Sequence, residues 1–593
     1  MKITQFRTQL LFCSCLACGM FMSGCSDGDY DLSSVDAKLG IGSELSLPSD
    51  NSVIVKFDDI FDLGSTDLVK TLDNGDYQFG KDPETVSDVN VNVEEITLAN
   101  KTEAGLSFDF DLPTFPSEIV GMEVEIPYTG VTPAIDIDEQ SGDVSLLKYE
   151  FDAPSEIKSL KWVRVGNEGA GVDLNLALTL PNDIKKFKYV KIEMPKMLEM
   201  TCNKAGFDAS TNTLTLNDCV PSDLTGIVFN VTRINIQDVD AQNYAKLENG
   251  KFKLLSNVKL TLKVSKVKVS SMSSLQIGGN ASFNNLVVTA ANGQFKPTID
   301  IQNLGSTTIN SLPDFLTDAR VVADIDNPQI WLTLESNLPL GGYVEAMLSS
   351  TTSSKLVFLD KDNGNELPIA ANGTTRLVVC RKAPADLTHN GETYTPVIAP
   401  DLTNLIKKLV EDMKIDIAIT KFEAVQTSDV TIELGHDYTL APKYSFTAPL
   451  VLGDDARIVY NSSVDDWNGD LKDLNLSAGS VLTLEAAVDN QAPADLEINI
   501  TPFFADGIMV AGLVVTPIQN KVAAGATGAT IKYEIKDQDG TGLNQLDGIE
   551  YEMLVTSPAS GSSEKGKVLN KNQKIVIKTQ SLHLSGKVIV DAD

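Results

Sequence analysis

The clearest signal along the chain is alternation of apolar and polar positions. "VDLNLALTL" sets Val172, Leu174, Leu176, Leu178 and Leu180 on one face of an extended segment, and "KLTLKVSKVKV" does the same with Leu260, Leu262 and Val264. A period of two marks a strand with one buried face. Between such runs stand Asn249-Gly250, Asn292-Gly293, Asn363-Gly364 and Asp539-Gly540, dipeptides that accept the positive φ of tight hairpin turns. The pattern predicts a mostly β protein built of several tandem β-sandwich-like modules.

One stretch has another period. In "PDLTNLIKKLVEDMK", Pro400 and Asp401 form a helix start, and Leu402, Leu405, Ile406, Leu409, Val410 and Met413 recur at helical spacing. This predicts an amphipathic helix over 401–413 that packs across the open end of a sheet. A weak repeat surrounds it: "DARVV" at Asp318 precedes "LTLESNLP" at Leu332, and "DARIV" at Asp455 precedes "LTLEAAVDNQAP" at Leu482. The second interval is longer and includes "DDWNGD", so the reading is a duplicated β module with an insertion.

Linker-like stretches at Asp152–Ser155, "SSMSS" from Ser270, Arg381–Pro400 and Thr516-Pro517 divide the chain. The predicted organisation is a leader over 1–24, an acidic tether over 25–50, and β domains over 51–153, 154–270 and 271–395, the last being repeat copy 1. A helix plus β domain over 396–514 is copy 2, and a module over 515–593 with strand-like runs resembles an immunoglobulin-like domain.

The leader carries Lys2 and Arg7, an apolar run from Leu10 to Met22, and small residues before Cys25. That is the layout of a secretory signal, and the run falls short of the roughly 20 apolar residues a spanning helix needs. Met22-Ser23-Gly24-Cys25 resembles a bacterial lipobox, which implies cleavage before Cys25 and its acylation. Ser26-Asp27-Gly28-Asp29-Tyr30-Asp31 is similar to the export tag of Bacteroidota surface lipoproteins, with Gly28 interrupting the acidic run. The resemblance implies anchoring in the outer membrane, palmitate on Cys25, and display on the extracellular face.

The chain has 48 basic and 81 acidic residues, a formal net charge of −33. Nucleic acid is excluded as a partner, because its affinity comes largely from Lys and Arg neutralising phosphates. At 42% hydrophobic residues the chain is globular and no acidic disordered tail. Of its seven cysteines, Cys13, Cys15, Cys18 and Cys25 belong to leader and anchor. Cys202 and Cys219 flank a predicted hairpin and are the disulfide candidate, as an oxidising compartment favours; two free thiols are the alternative. Cys380 falls on an alternating strand and reads as a buried hydrophobe.

Candidate chemistry is sparse. His389, His436 and His583 are the three histidines, none with a neighbouring ligand at metal spacing, and no G-x-S-x-G elbow occurs. No catalytic residue is assigned. "GSSEKGKV" at Gly561 lacks the hydroxyl of a phosphate loop, Val568 standing in its place. Asp360, Asp362 and Glu366 in "DKDNGNE" form a weak calcium candidate, as does "DQDGTG" at Asp537; both read first as hairpin turns, for want of the 12-residue loop spacing. No other cofactor is implied.

Tryptophans are the remaining signal for ligands. Trp331 heads "WLTLE" and reads as core, Trp162 in "LKWVRV" points either way, and Trp467 in "DDWNGD" is the best exposed glycan-binding candidate, although it reads first as a tryptophan folded back over a sandwich end. The expected function is a lipid-anchored surface protein with a non-catalytic binding or structural role, accessory to an outer-membrane complex. The alternative is a glycan-binding lipoprotein of a nutrient-import system. A third reading is a hydrolase with paired carboxylates.

Overall fold

The computed structural model describes residues 45–47 and most of 52–586. Residues 1–44 and 587–593, and internal runs of which the longest are 62–67, 99–105, 297–304, 310–315 and 469–475, lie outside the described residues. Cys25 and the acidic tag are among them. The described chain is mostly β, and its alternating runs lie in sheets of four to nine strands, with one two-stranded hairpin at 388–393.

The sheets pack in pairs because each strand has one apolar side to bury. The nine-stranded sheet faces the eight-stranded one: Val172, Leu174 and Leu176 are buried on the first, Leu260, Leu262 and Val264 on the second. Phe207 and Phe229 meet edge to face across the gap, ring centroids 5.7 Å apart. The seven-stranded sheet buries Leu332, Leu334 and Leu377, and the five-stranded sheet buries Val344, Ala346 and Leu348 in the same core. The six- and four-stranded sheets form the last sandwich, bridged where the Tyr533 hydroxyl donates to the carbonyl of Ile498 at 2.5 Å. Each fully buried Leu or Phe contributes about 1.5–3 kcal/mol.

The sandwiches are not laid out in the order of the chain. Strands expected to form one domain over 51–153 are shared among four sheets. Ser52–Lys56 joins the six-stranded sheet, Tyr77–Thr85 and Val89–Val93 the seven-stranded, Leu106–Asp111 the nine-stranded, and Gln140–Asp152 the eight-stranded. Val430–Glu433, from the expected 396–514 domain, also pairs into the nine-stranded sheet through Leu286–Phe295. Alternation specifies which face of a strand is buried and leaves its neighbour open, so a linear division by linkers does not recover the units.

The C-terminal sandwich shows this most clearly. Strands from 515–593 supply only part of it; Arg457–Val464, Val481–Asn490 and Asp495–Phe504 supply the rest, together with the N-terminal strands Leu45–Leu47 and Ser52–Lys56. Both N-terminal strands lie against Lys574–Ser585, with Leu45 opposite Leu584 and Val53 opposite Ile577.

The two copies of the repeat touch each other. Val322 donates to the carbonyl of Arg457 at 2.9 Å and Arg457 donates back at 3.0 Å, an isolated antiparallel bridge between the "DARVV" and "DARIV" motifs. The "LTLE" strands that follow, Gln329–Ser336 and Val481–Asn490, each have neighbours on both sides in their own sheets.

Among the described residues the helix expected over 401–413 is absent. Leu402–Leu405 makes one 3-10 turn, Asp401 gives no side-chain cap, and Met413 already begins the strand Met413–Ala424. The apolar residues are nonetheless buried, with Leu402, Leu405, Ile406 and Leu409 all in the core. The reason is competition between two periods: Met413, Ile415, Ile417 and Ile419 alternate and bury as a strand. Asp412 adopts φ 58° at the junction, which ends any helical run.

Candidate functional site

Trp467 turns inward. It is half-buried and packed against the main core, its amide donating to the carbonyl of Asp547 at 2.7 Å, while the amide of Asn468 donates to the Asp547 carboxylate at 3.1 Å. The indole walls an apolar cleft between the six- and four-stranded sheets, alongside Val464, Leu484, Ile498, Tyr533 and Tyr551. The cleft has a cavity volume of about 60 Å³. Burial pushes the Tyr533 phenol well above its ordinary value. The indole thus folds back over a sandwich end, the first reading of Trp467, and is no open platform for a glycan.

The Asp360 loop is organised by its own side chains. The Asp360 carboxylate accepts from the amide and side chain of Asn363, both at 2.9 Å, and Asn365 donates to the carbonyl of Ile398 at 3.0 Å. Asp362 is exposed on the turn and Glu366 half-buried beyond it; among the described residues no three His, Cys, Asp or Glu side chains converge on a metal position. Asp537, fully buried, accepts from the amides of Asp539, Gly540 and Leu543, which accounts for its burial.

The candidate disulfide does not form. Cys202, Cys219 and Cys380 are free thiols. Cys202 ends a strand of the nine-stranded sheet, whereas Cys219 follows a strand of the eight-stranded sheet and donates to the carbonyl of Leu216 at 3.6 Å. Burial pushes both thiols up, and Cys380, buried as expected, up to about 11.

Trp331 is core, though in a small second cluster with Val378, Cys380 and Tyr394. His389 stacks on its indole at 4.6 Å and lies 2.9 Å from the hydroxyl of Ser445. Ser445 is only 5% exposed, and burial lowers the imidazole's proton affinity. The loop that carries His389 therefore closes a core, and a nucleophile there is sealed from solvent.

Trp162 is the tryptophan that faces outward. On the strand Ile157–Val165, Val163 and Val165 are buried, so Trp162 and Arg164 project from the other face. The indole is half-buried and stands apart from the main core. Directly opposite it lie Asn235 on one neighbouring strand and Asn292 on the other; Asn292 is in turn opposite Thr431, to whose hydroxyl it donates at 3.0 Å. Residues directly opposite in antiparallel pairs share a face with Cβ atoms about 4.5–5.5 Å apart. Asn235, Trp162, Asn292 and Thr431 thus form one continuous row across four strands.

A second, charged row runs beside it. Glu199 is opposite Arg233, Arg233 opposite Arg164, Arg164 opposite Ala290, and Ala290 opposite Glu433. Two arginines side by side repel, and each is matched: Arg233 to Glu199 at 3.3 Å and Arg164 to Glu433. The Arg233 guanidinium also lies over the Trp162 ring, 4.3 Å from its centroid, and Asn235 donates to Glu199 at 3.1 Å. An aromatic surface ringed by oriented donors and acceptors is the arrangement that fixes polar ligands with an apolar face.

The sequence hid this site behind Asn292-Gly293, which reads as a turn. The pair lies mid-strand, within Leu286–Phe295. Gly293 is required by contact: a Cβ there would sit 2.0 Å from the carbonyl oxygen of Ser159. Close backbone approach is the other meaning of glycine in a strand pattern, and was the available signal.

No family model matches the chain, and no curated protein does. Among solved structures, a protein of Parabacteroides distasonis ATCC 8503, provisionally described as secreted, is 16% identical with a TM-score of 0.34, covering 50% of this chain and 89% of its own. The structure of Sulfolobus Turreted Icosahedral Virus is 10% identical with a TM-score of 0.11, covering 80% and 99%. The major capsid protein P2 of bacteriophage PM2 is 11% identical with a TM-score of 0.09, covering 52% and 98%. Likenesses at these scores carry no functional argument. No helix among the described residues is long and apolar enough to cross a membrane, which says nothing of strands.

Proposed function

We propose that this chain is a lipid-anchored outer-membrane surface protein with a non-catalytic role, and that it binds saccharide on the outer face of its nine-stranded sheet. The observation that carries the binding role is Trp162, set outward between Asn235 and Asn292. An indole offers an apolar face to the C–H side of a sugar ring, while amides and charged groups around it meet the hydroxyls. The lipobox-like Met22–Cys25 and the acidic run behind it support anchoring and display.

The test is a glycan array probed with the labelled full chain, its Trp162→Ala variant and its Trp467→Ala variant. Binding by the parent and by Trp467→Ala, with loss in Trp162→Ala, is the expected result. Binding that survives in Trp162→Ala removes the platform from the reading.

A further inference from the structure

Resting on that saccharide reading, we infer that the ligand is an uncharged saccharide chain lying across the strands, along the row of Asn235, Trp162, Asn292 and Thr431. Charge is the first reason. Arg233 lies over the indole, Arg164 follows Trp162 two residues on along the same strand and Lys161 precedes it, and each has its own carboxylate: Lys161 with Asp429 at 2.7 Å, Arg164 with Glu433, and Arg233 with Glu199 at 3.3 Å. The platform is balanced locally, in a chain of net charge −33. An anionic polymer would have to compete with those carboxylates for the arginines while approaching against the field of the whole molecule. A cationic polymer would have to compete with the arginines for the carboxylates.

Hydrogen-bonding chemistry is the second reason. The row itself is uncharged, made of two amides and a hydroxyl flanking the indole, and each of these groups both donates and accepts. Sugar hydroxyls need that dual capacity. Geometry is the third: strands stand about 4.8 Å apart, a spacing close to the length of one pyranose ring. A ligand running across strands therefore meets one polar group per ring step, with one ring on the indole. That ring takes the place of the Arg233 guanidinium over Trp162, and Arg233 keeps its pairing with Glu199.

The experiment is calorimetric titration of the full chain with uncharged polysaccharides (a β-glucan, a mannan and dextran) and with two anionic ones, polygalacturonate and heparin. At least one uncharged polymer should bind, its affinity changing by less than about twofold between roughly 0.05 and 0.5 M salt. Trp162→Ala and Asn292→Ala should each weaken it by about tenfold or more, a loss of about 1.4 kcal/mol, with melting profiles close to the parent's. Binding confined to polygalacturonate or heparin, fading with salt and lost in Trp162→Ala, overturns the inference and leaves the saccharide reading standing. No binding to any of the five, or binding that Trp162→Ala leaves intact, overturns the saccharide reading and this inference with it.

Discussion

Truncating the two contrasted tryptophans should separate folding from binding. Trp467→Ala removes an indole packed against the core and opens the cleft beside Tyr533 and Tyr551. A fully buried Trp costs about 3–5 kcal/mol on truncation to Ala; for this half-buried one roughly 2–3 kcal/mol is expected by the same rule. In a sandwich of this size that lowers the midpoint by roughly 5–10 °C. Trp162→Ala loses the Arg233 contact, worth about 0.5–1 kcal/mol, and a half-buried indole that stands apart from the main core, so its shift should be the smaller of the two. Differential scanning calorimetry of the parent and both variants reads these shifts. If Trp162→Ala lowers the midpoint as far as Trp467→Ala does, Trp162 is a structural residue and the platform argument fails.

Other outcomes follow from the same physics. Cys25→Ala should abolish incorporation of labelled palmitate in the native host; label persisting elsewhere on the chain would contradict the anchor. Phe61, fully buried and packed on Phe57 and edge-on to Tyr77 at 5.2 Å, should cost about 3–5 kcal/mol as Phe61→Ala, read as a lowered denaturation midpoint. For His389, burial depresses the folded-state value, so the stability it brings to its loop is present above the unfolded value of about 6.5 and is lost as pH falls through the depressed value. Hydrogen exchange of peptides around Thr388–Ile398 should accelerate with acid beyond the intrinsic pH dependence, and His389→Gln should flatten that response.

The β class and many buried faces were legible before any coordinates. Val172, Leu174 and Leu176 are buried as their alternation predicts, and so are Leu260, Leu262 and Val264, while Leu178 and Leu180 toward the strand end are half-buried. Asn249 and Gly250 take the positive φ values, 53° and 72°, that their hairpin turn requires. Partner choice was not legible, because a strand such as Ser52–Lys56 pairs with one more than five hundred residues away and nothing local encodes it. The helix over 401–413 failed because burial satisfied the same leucines without helical hydrogen bonds. The Trp162 row could not be read from one strand, since it exists only in the register of four.

The most direct test is hydroxyl-radical footprinting of the intact protein on cells, with and without an excess of the uncharged polysaccharide that binds it. Oxidation of Trp162 should fall when the polymer is present, with Trp467 unchanged. Equal oxidation of Trp162 with and without bound polymer would contradict the assignment of the outer face of the nine-stranded sheet as the binding surface.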